Sequence, residues 1–194
     1  MRQLIRWFDG WLRKRLGVFE FSQDADCLVR LRISRLGRRV DLPTDALPAG
    51  SIILEIHLWN EHIPPIPPLG PDIAWASRAG RLFLRSLRSA ALYVRHLEGN
   101  ARPLAVVATT VLVPFGDPSG ARSFFTRLGF HLIPAHNPVG RFGEFWENFY
   151  TWYLMWAYNA ASLRTKQLLR IRRTEAWIPF DEFLRRYASD PQPM

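Results

Sequence analysis

Apolar and polar residues alternate over 27–33, "CLVRLRI". This predicts a half-buried strand with Cys27, Val29, Leu31 and Ile33 on one face and Arg30 and Arg32 on the other. "RLGRR" reads as a turn into a short strand near Val40, and "PTDALPAG" as a loop. Residues 51–59 predict a second, more buried strand, and "IPPIPPLGP" after it predicts a stiff connection without regular structure. The period then changes to that of a helix. Residues 72–98 carry Ile73, Leu84, Leu87, Ala91 and Val94 as an apolar face, with Pro71 at the start and "EGN" at the end. The β-branched run in 102–114 predicts a buried strand. A short helix follows near 119–128, then a strand near 130–133. A second long helix is predicted over 141–168, then a final strand over 168–179 and a short terminal helix over 180–188.

Residues 2–16 differ from the rest. Leu4, Ile5, Phe8, Trp11, Leu12 and Leu16 recur at helical spacing among Arg2, Arg6, Arg13, Lys14 and Arg15. Trp7, Phe8 and Trp11 are the residues such an interfacial helix would set into a membrane surface. Docking on the chain's own domain is the alternative. With no internal repeat and no clear linker, the pattern predicts an α+β fold: a single mixed or antiparallel sheet packed by two long helices. Residues 1–20 would form the amphipathic N-terminal helix and 21–194 one domain.

Composition narrows the partners. The net charge is +9, and lysine occurs only at 14 and 166, so the basic residues are almost all arginine. Arginine makes bidentate contacts to phosphate and carboxylate, which favours anionic partners, although a GC-rich genome would enrich arginine equally. Arg78, Arg81, Arg85, Arg88 and Arg95 share one face of the 72–98 helix. The first four are candidates for phosphate or anionic lipid, the alternative being a solvated or ion-paired helix face. There is no helix-turn-helix, RNP or zinc-finger pattern, so no specific nucleic-acid recognition is expected. Cys27 is the only cysteine, which excludes a disulfide framework and a cysteine zinc site. No apolar run suits a secretory signal or a membrane span, and a cytoplasmic protein is expected, resting if anywhere on the inner membrane face.

The chemistry concentrates in "SIILEIHLWNEHIPP", 51–65. On a strand Glu55, His57 and Trp59 share one face, and Asn60, Glu61 and His62 follow at its end. His57 could act as a general base with Glu55 or Glu61 orienting its ring, while Trp59, Asn60 and His62 could bind a ligand. Two histidines with Glu55 or Glu61 could also ligate a divalent metal, but no metal motif is present, so no metal site is assigned and the cofactor is left open. A satisfied structural network would use the same residues. The aromatic helix, with Phe142, Phe145, Trp146, Phe149, Trp152 and Trp156 among its rings, reads as core, with a stacking wall for a sugar or acyl chain as the alternative.

Two resemblances bear on this pattern. "ARSFFTRLGFHL", 121–132, resembles the late helix-then-strand segment of GNAT acyltransferases over a dozen residues. The pyrophosphate loop of that fold is missing before the 72–98 helix, where "PPLGPD" stands, so acetyl-CoA binding is not assigned. "ILEIHLWNEHIP", the long helix after it and "RSFFTRLGF", in that order, resemble the YkoP-like domain, across residues 25–188. That domain is bacterial and occurs alone or fused behind polysaccharide deacetylases. His57, Leu58 and Asn60 are the most distinctive part of the match. The resemblance implies an envelope-glycan or glycolipid setting and supplies no activity; the metal ligands of the deacetylases have no counterpart here.

The expectation is therefore a peripheral accessory or binding protein of bacterial envelope metabolism. Its partners would be an anionic membrane surface or a lipid-linked sugar, with the oligomeric state open. Two alternatives stand beside it: a small-group transferase or hydrolase using His57, and an adaptor module with no ligand.

Overall fold

The structure, a computed structural model, describes residues 11, 14–43, 45–67, 70, 72–111, 118–135 and 173–189. In chain order its strands are β1 (Val29–Arg35), β2 (Val40–Asp41), β3 (Ala46–Leu47), β4 (Ile52–Leu58), β5 (Ala105–Val111), β6 (His131–Pro134) and β7 (Arg173–Pro179). Its α-helices are α1 (Ile73–Val94), α2 (Pro118–Arg127) and α3 (Phe180–Tyr187). The large sheet has the order β1-β4-β5-β7-β6. β4 and β5 are parallel and all its other pairs are antiparallel, so the sheet is mixed and the fold α+β. A parallel pair needs a crossover, and α1 provides it between β4 and β5.

One sheet face carries the main core. Val29, Leu31, Leu54, Ile56, Val106, Ala108, Ala176 and Ile178 pack against Leu87, Ala90, Ala91 and Val94 of α1 and Phe180, Phe183 and Tyr187 of α3. The pairing register puts these strand residues side by side, as period-two alternation requires. Asp72 caps α1, its carboxylate accepting the Trp75 N–H at 2.6 Å. Ile73, assigned by periodicity to the apolar face of this helix, is 90% exposed, because it occupies the first helical position, short of the buried turns. Ser86 is a buried polar residue of α1. It donates to the Leu82 carbonyl at 2.7 Å and accepts the Leu28 N–H at 2.8 Å, fastening the helix to the start of β1.

The "LGF" segment after α2 is a helix stop. Gly129 has φ +86°, and the Phe130 N–H reaches back to the Phe125 carbonyl at 2.9 Å, a Schellman-type closure that glycine permits. Tyr187 of α3 donates to the Leu128 carbonyl at 2.7 Å, and burial pushes its hydroxyl up to about 12.

The opposite sheet face has a smaller core. Ile53, Ala105, Val107 and Trp177 meet Leu36, Val40, Leu42 and Leu47. The last three lie in and beside a short hairpin, because β3 pairs with β2 where the sequence pattern predicts only a loop. Long-range burial of Leu47, not local propensity, makes this strand. α1 is the one long helix among the described residues. The second long helix expected over 141–168 lies outside them, as do Trp7 and Phe8 of the N-terminal helix. Phe19 already bridges to Leu31 of β1, so the chain joins the sheet before residue 20, inside the span assigned to the N-terminal helix.

Candidate functional site

The cluster at 55–62 forms two networks on the sheet face opposite α1. Strand parity sends Glu55 and His57 to that face, and the antiparallel register sets Arg32 opposite Glu55 and Arg30 opposite His57. Four polar residues therefore share a patch that no single segment of sequence encodes.

The first network centres on Glu55. One carboxylate oxygen accepts the hydroxyl of Ser34. The other faces Nε2 of His57 at 3.2 Å and Nη1 of Arg32 at 3.5 Å. Burial by itself would raise the Glu55 pKa. The hydrogen bonds from His57 and Ser34 and the charge of Arg32 outweigh it and hold the carboxyl below the usual carboxylate range. An ionised carboxylate can only accept, so Nε2 of His57 carries the proton and Nδ1 is left as the basic nitrogen of the neutral ring. Glu55 is 21% exposed and His57 38%, so the network reaches solvent. It can present an oriented imidazole beside a guanidinium to a polar molecule.

The second network centres on Arg30. Arg30 is 4% exposed and bonds Glu20 at 2.9 Å and Glu61 at 3.3 Å. Its guanidinium lies 4.3 Å from the centre of the buried Trp59 ring. His62 stacks on the same indole, with centroids 3.8 Å apart and planes 14° from parallel. Nδ1 of His62 donates to the Cys27 carbonyl at 2.8 Å, which fixes its tautomer. This assembly ties the turn after β4 and the chain near residue 20 to β1.

The sequence-derived residues thus separate. Glu55 and His57 are brought together on a half-open surface. Trp59, Glu61 and His62 are joined around Arg30, and Asn60 lies half-buried in the connecting turn. The carboxylate that orients His57 is Glu55, whereas Glu61 is engaged by Arg30. Arg30, Arg32, Ser34 and Glu20 were not anticipated as partners. The signal for the first three was the polar face of "CLVRLRIS", whose meaning depends on pairing with β4; nothing local marked Glu20. Among the described residues no group of three or more His, Cys, Asp or Glu is arranged to hold a metal ion. Nor is any described helix long and apolar enough to cross a membrane.

On α1, Arg78, Arg81, Arg85 and Arg88 are all exposed. Arg85 pairs with Asp24 at 2.7 Å and Asp26 at 3.3 Å, and Arg81 donates to Ser77 at 2.7 Å. Trp11 is 49% exposed, with Arg15 5.9 Å from its ring centre.

Comparison of the chain with protein-family models, with curated proteins and with solved structures finds no match.

Proposed function

We propose that this chain is a peripheral accessory protein of bacterial cell-envelope glycan or glycolipid metabolism. It binds a sugar or polar head group at the surface formed by Arg32, Glu55 and His57. The observation that carries the reading is the half-exposed His57, held by Glu55 at 3.2 Å beside Arg32. Oriented donors and acceptors on a rigid sheet suit a hydroxyl-rich ligand. The envelope setting comes from the resemblance of residues 53–64 to the YkoP-like domain. The location on the inner membrane face is supported by net charge +9 and by the exposed Trp11.

The test uses vesicles with and without a polyprenyl-phosphate-linked sugar. The wild-type chain should prefer the sugar-bearing vesicles, and His57→Ala should lose that preference while melting at nearly the same temperature. Equal binding to both vesicles, or a His57→Ala protein that is destabilised but keeps the preference, overturns the reading.

A second reading is favoured by the same hydrogen bond. With Nε2 held by Glu55, Nδ1 of His57 is placed to act as a general base in a small-group transfer or hydrolysis. Turnover of an activated ester that vanishes in His57→Ala, in a variant that melts like wild type, would replace the binding role with catalysis.

A further inference from the structure

The outer face of α1 is a ridge of one charge. At 100° per residue, Arg78, Arg81, Arg85 and Arg88 fall within an arc of about 80°, with Leu92 inside it, and the buried Leu87, Ala90 and Val94 lie across the helix. The span from Arg78 to Leu92 is roughly 20 Å. No acidic residue occurs anywhere in the helix, so the glutamate–arginine pairs that usually stabilise an exposed face are missing. The arginines are instead spaced three and four residues apart, where like charges repel. Asp24 and Asp26 relieve Arg85 alone. Arg78, Arg81 and Arg88 make no ion pair among the described residues.

Such a face loses its self-repulsion against a dense array of negative charge. We infer that the α1 ridge is an electrostatic contact for an anionic membrane surface, made by Arg78, Arg81 and Arg88. This rests on the peripheral reading above and adds a second contact to the N-terminal segment. Arg78 and Arg88 are about 15 Å apart along the axis, too far to share one phosphate, so an extended surface fits better than a single ion. The ridge also ends in an apolar side chain. Leu92, inside the arc in the last turn, is an exposed large hydrophobic residue, as an interfacial helix requires and a nucleic-acid contact does not. The chain leading from Trp11 and Leu16 is fastened along the same helix. Phe19 and Phe21 lie 6.1 and 5.5 Å from the Tyr93 ring, and Asp24 and Asp26 hold Arg85.

The test is co-sedimentation of the full chain and its Arg78→Gln/Arg81→Gln/Arg88→Gln variant with phosphatidylglycerol and phosphatidylcholine vesicles across a salt series. At about fivefold per arginine, the variant should bind the anionic vesicles on the order of a hundredfold more weakly, with unchanged circular dichroism and melting. A variant that binds like wild type, while removal of residues 1–16 abolishes binding, overturns the ridge and leaves the peripheral reading standing. A wild-type chain indifferent to anionic vesicles overturns both. Salt-sensitive binding to duplex DNA, lost in the variant and unaccompanied by vesicle binding, assigns the ridge to nucleic acid and overturns the membrane contact.

Discussion

Two polar networks stand next to each other on one sheet face, one built across β1 and β4 and the other between β1, the turn after β4 and the chain near residue 20, and they differ in exposure. Around Arg30, two carboxylates and an indole, itself stacked on the His62 imidazole, leave the arginine only 4% exposed. Around Glu55, a hydroxyl, an imidazole and a guanidinium satisfy the carboxylate but leave the ring of His57 in contact with water. What separates them is coverage. Trp59 and the turn that follows β4 lie over the first and not over the second. Residue type alone therefore does not separate the two networks; the indole that covers Arg30 decides which is enclosed and which meets water.

The largest effect that would sharpen this contrast is expected at Trp59. Trp59→Ala removes the roof from Arg30 and the stacking partner of His62, and should cost about 3–4 kcal/mol in chemical denaturation. Arg30→Ala leaves Glu20 and Glu61 without their shared cation. Because both carboxylates are partly solvated, the expected loss is about 2–3 kcal/mol rather than the full penalty of a sealed pair.

Glu55→Gln should cost only about 1 kcal/mol at neutral pH, since its partners keep access to water. That cost carries a pH signature. The folded carboxyl titrates below its ordinary value of 4.5, so the wild-type advantage is fully present above that pH. It disappears as the pH falls through the depressed folded value. Denaturation curves for the two proteins should converge in acid, and a gap that persists there would contradict the assigned network. His57→Ala should shift stability by less than about 0.5 kcal/mol, the smallest effect of the series, because the ring is partly exposed and bonded at one nitrogen. A loss at His57 as large as that at Arg30 would erase the distinction between the two networks.

Much of the fold was legible from periodicity. The alternation in 27–33 and 51–59 placed Arg30 and Arg32, and Glu55 and His57, on the polar faces of β1 and β4. The helical spacing around Leu87, Ala91 and Val94 identified the buried side of α1. Local rules failed where burial came from distant residues. β3 exists because Leu47 packs against Ile53, Val107 and Trp177, and a two-residue strand has no periodicity to read. Ile73 satisfied the helical spacing but sits at the end of α1, where spacing says nothing about what the turn rests on. Within "ARSFFTRLGFHL", Gly129 closes the helix before the strand, a device that local sequence does announce.

The sequence by itself determined which side chains share a face, because the two-residue and 3.6-residue repeats are properties of the backbone. It determined the all-arginine ridge of α1 for the same reason. Only the tertiary structure decided which faces meet. Arg32 reaches Glu55 across 23 positions of chain, and Arg30 reaches Glu61 across 31. Those meetings follow from strand register and from the turn that lays Trp59 over Arg30. Both are set by the packing of the whole sheet and are encoded in no local stretch of residues.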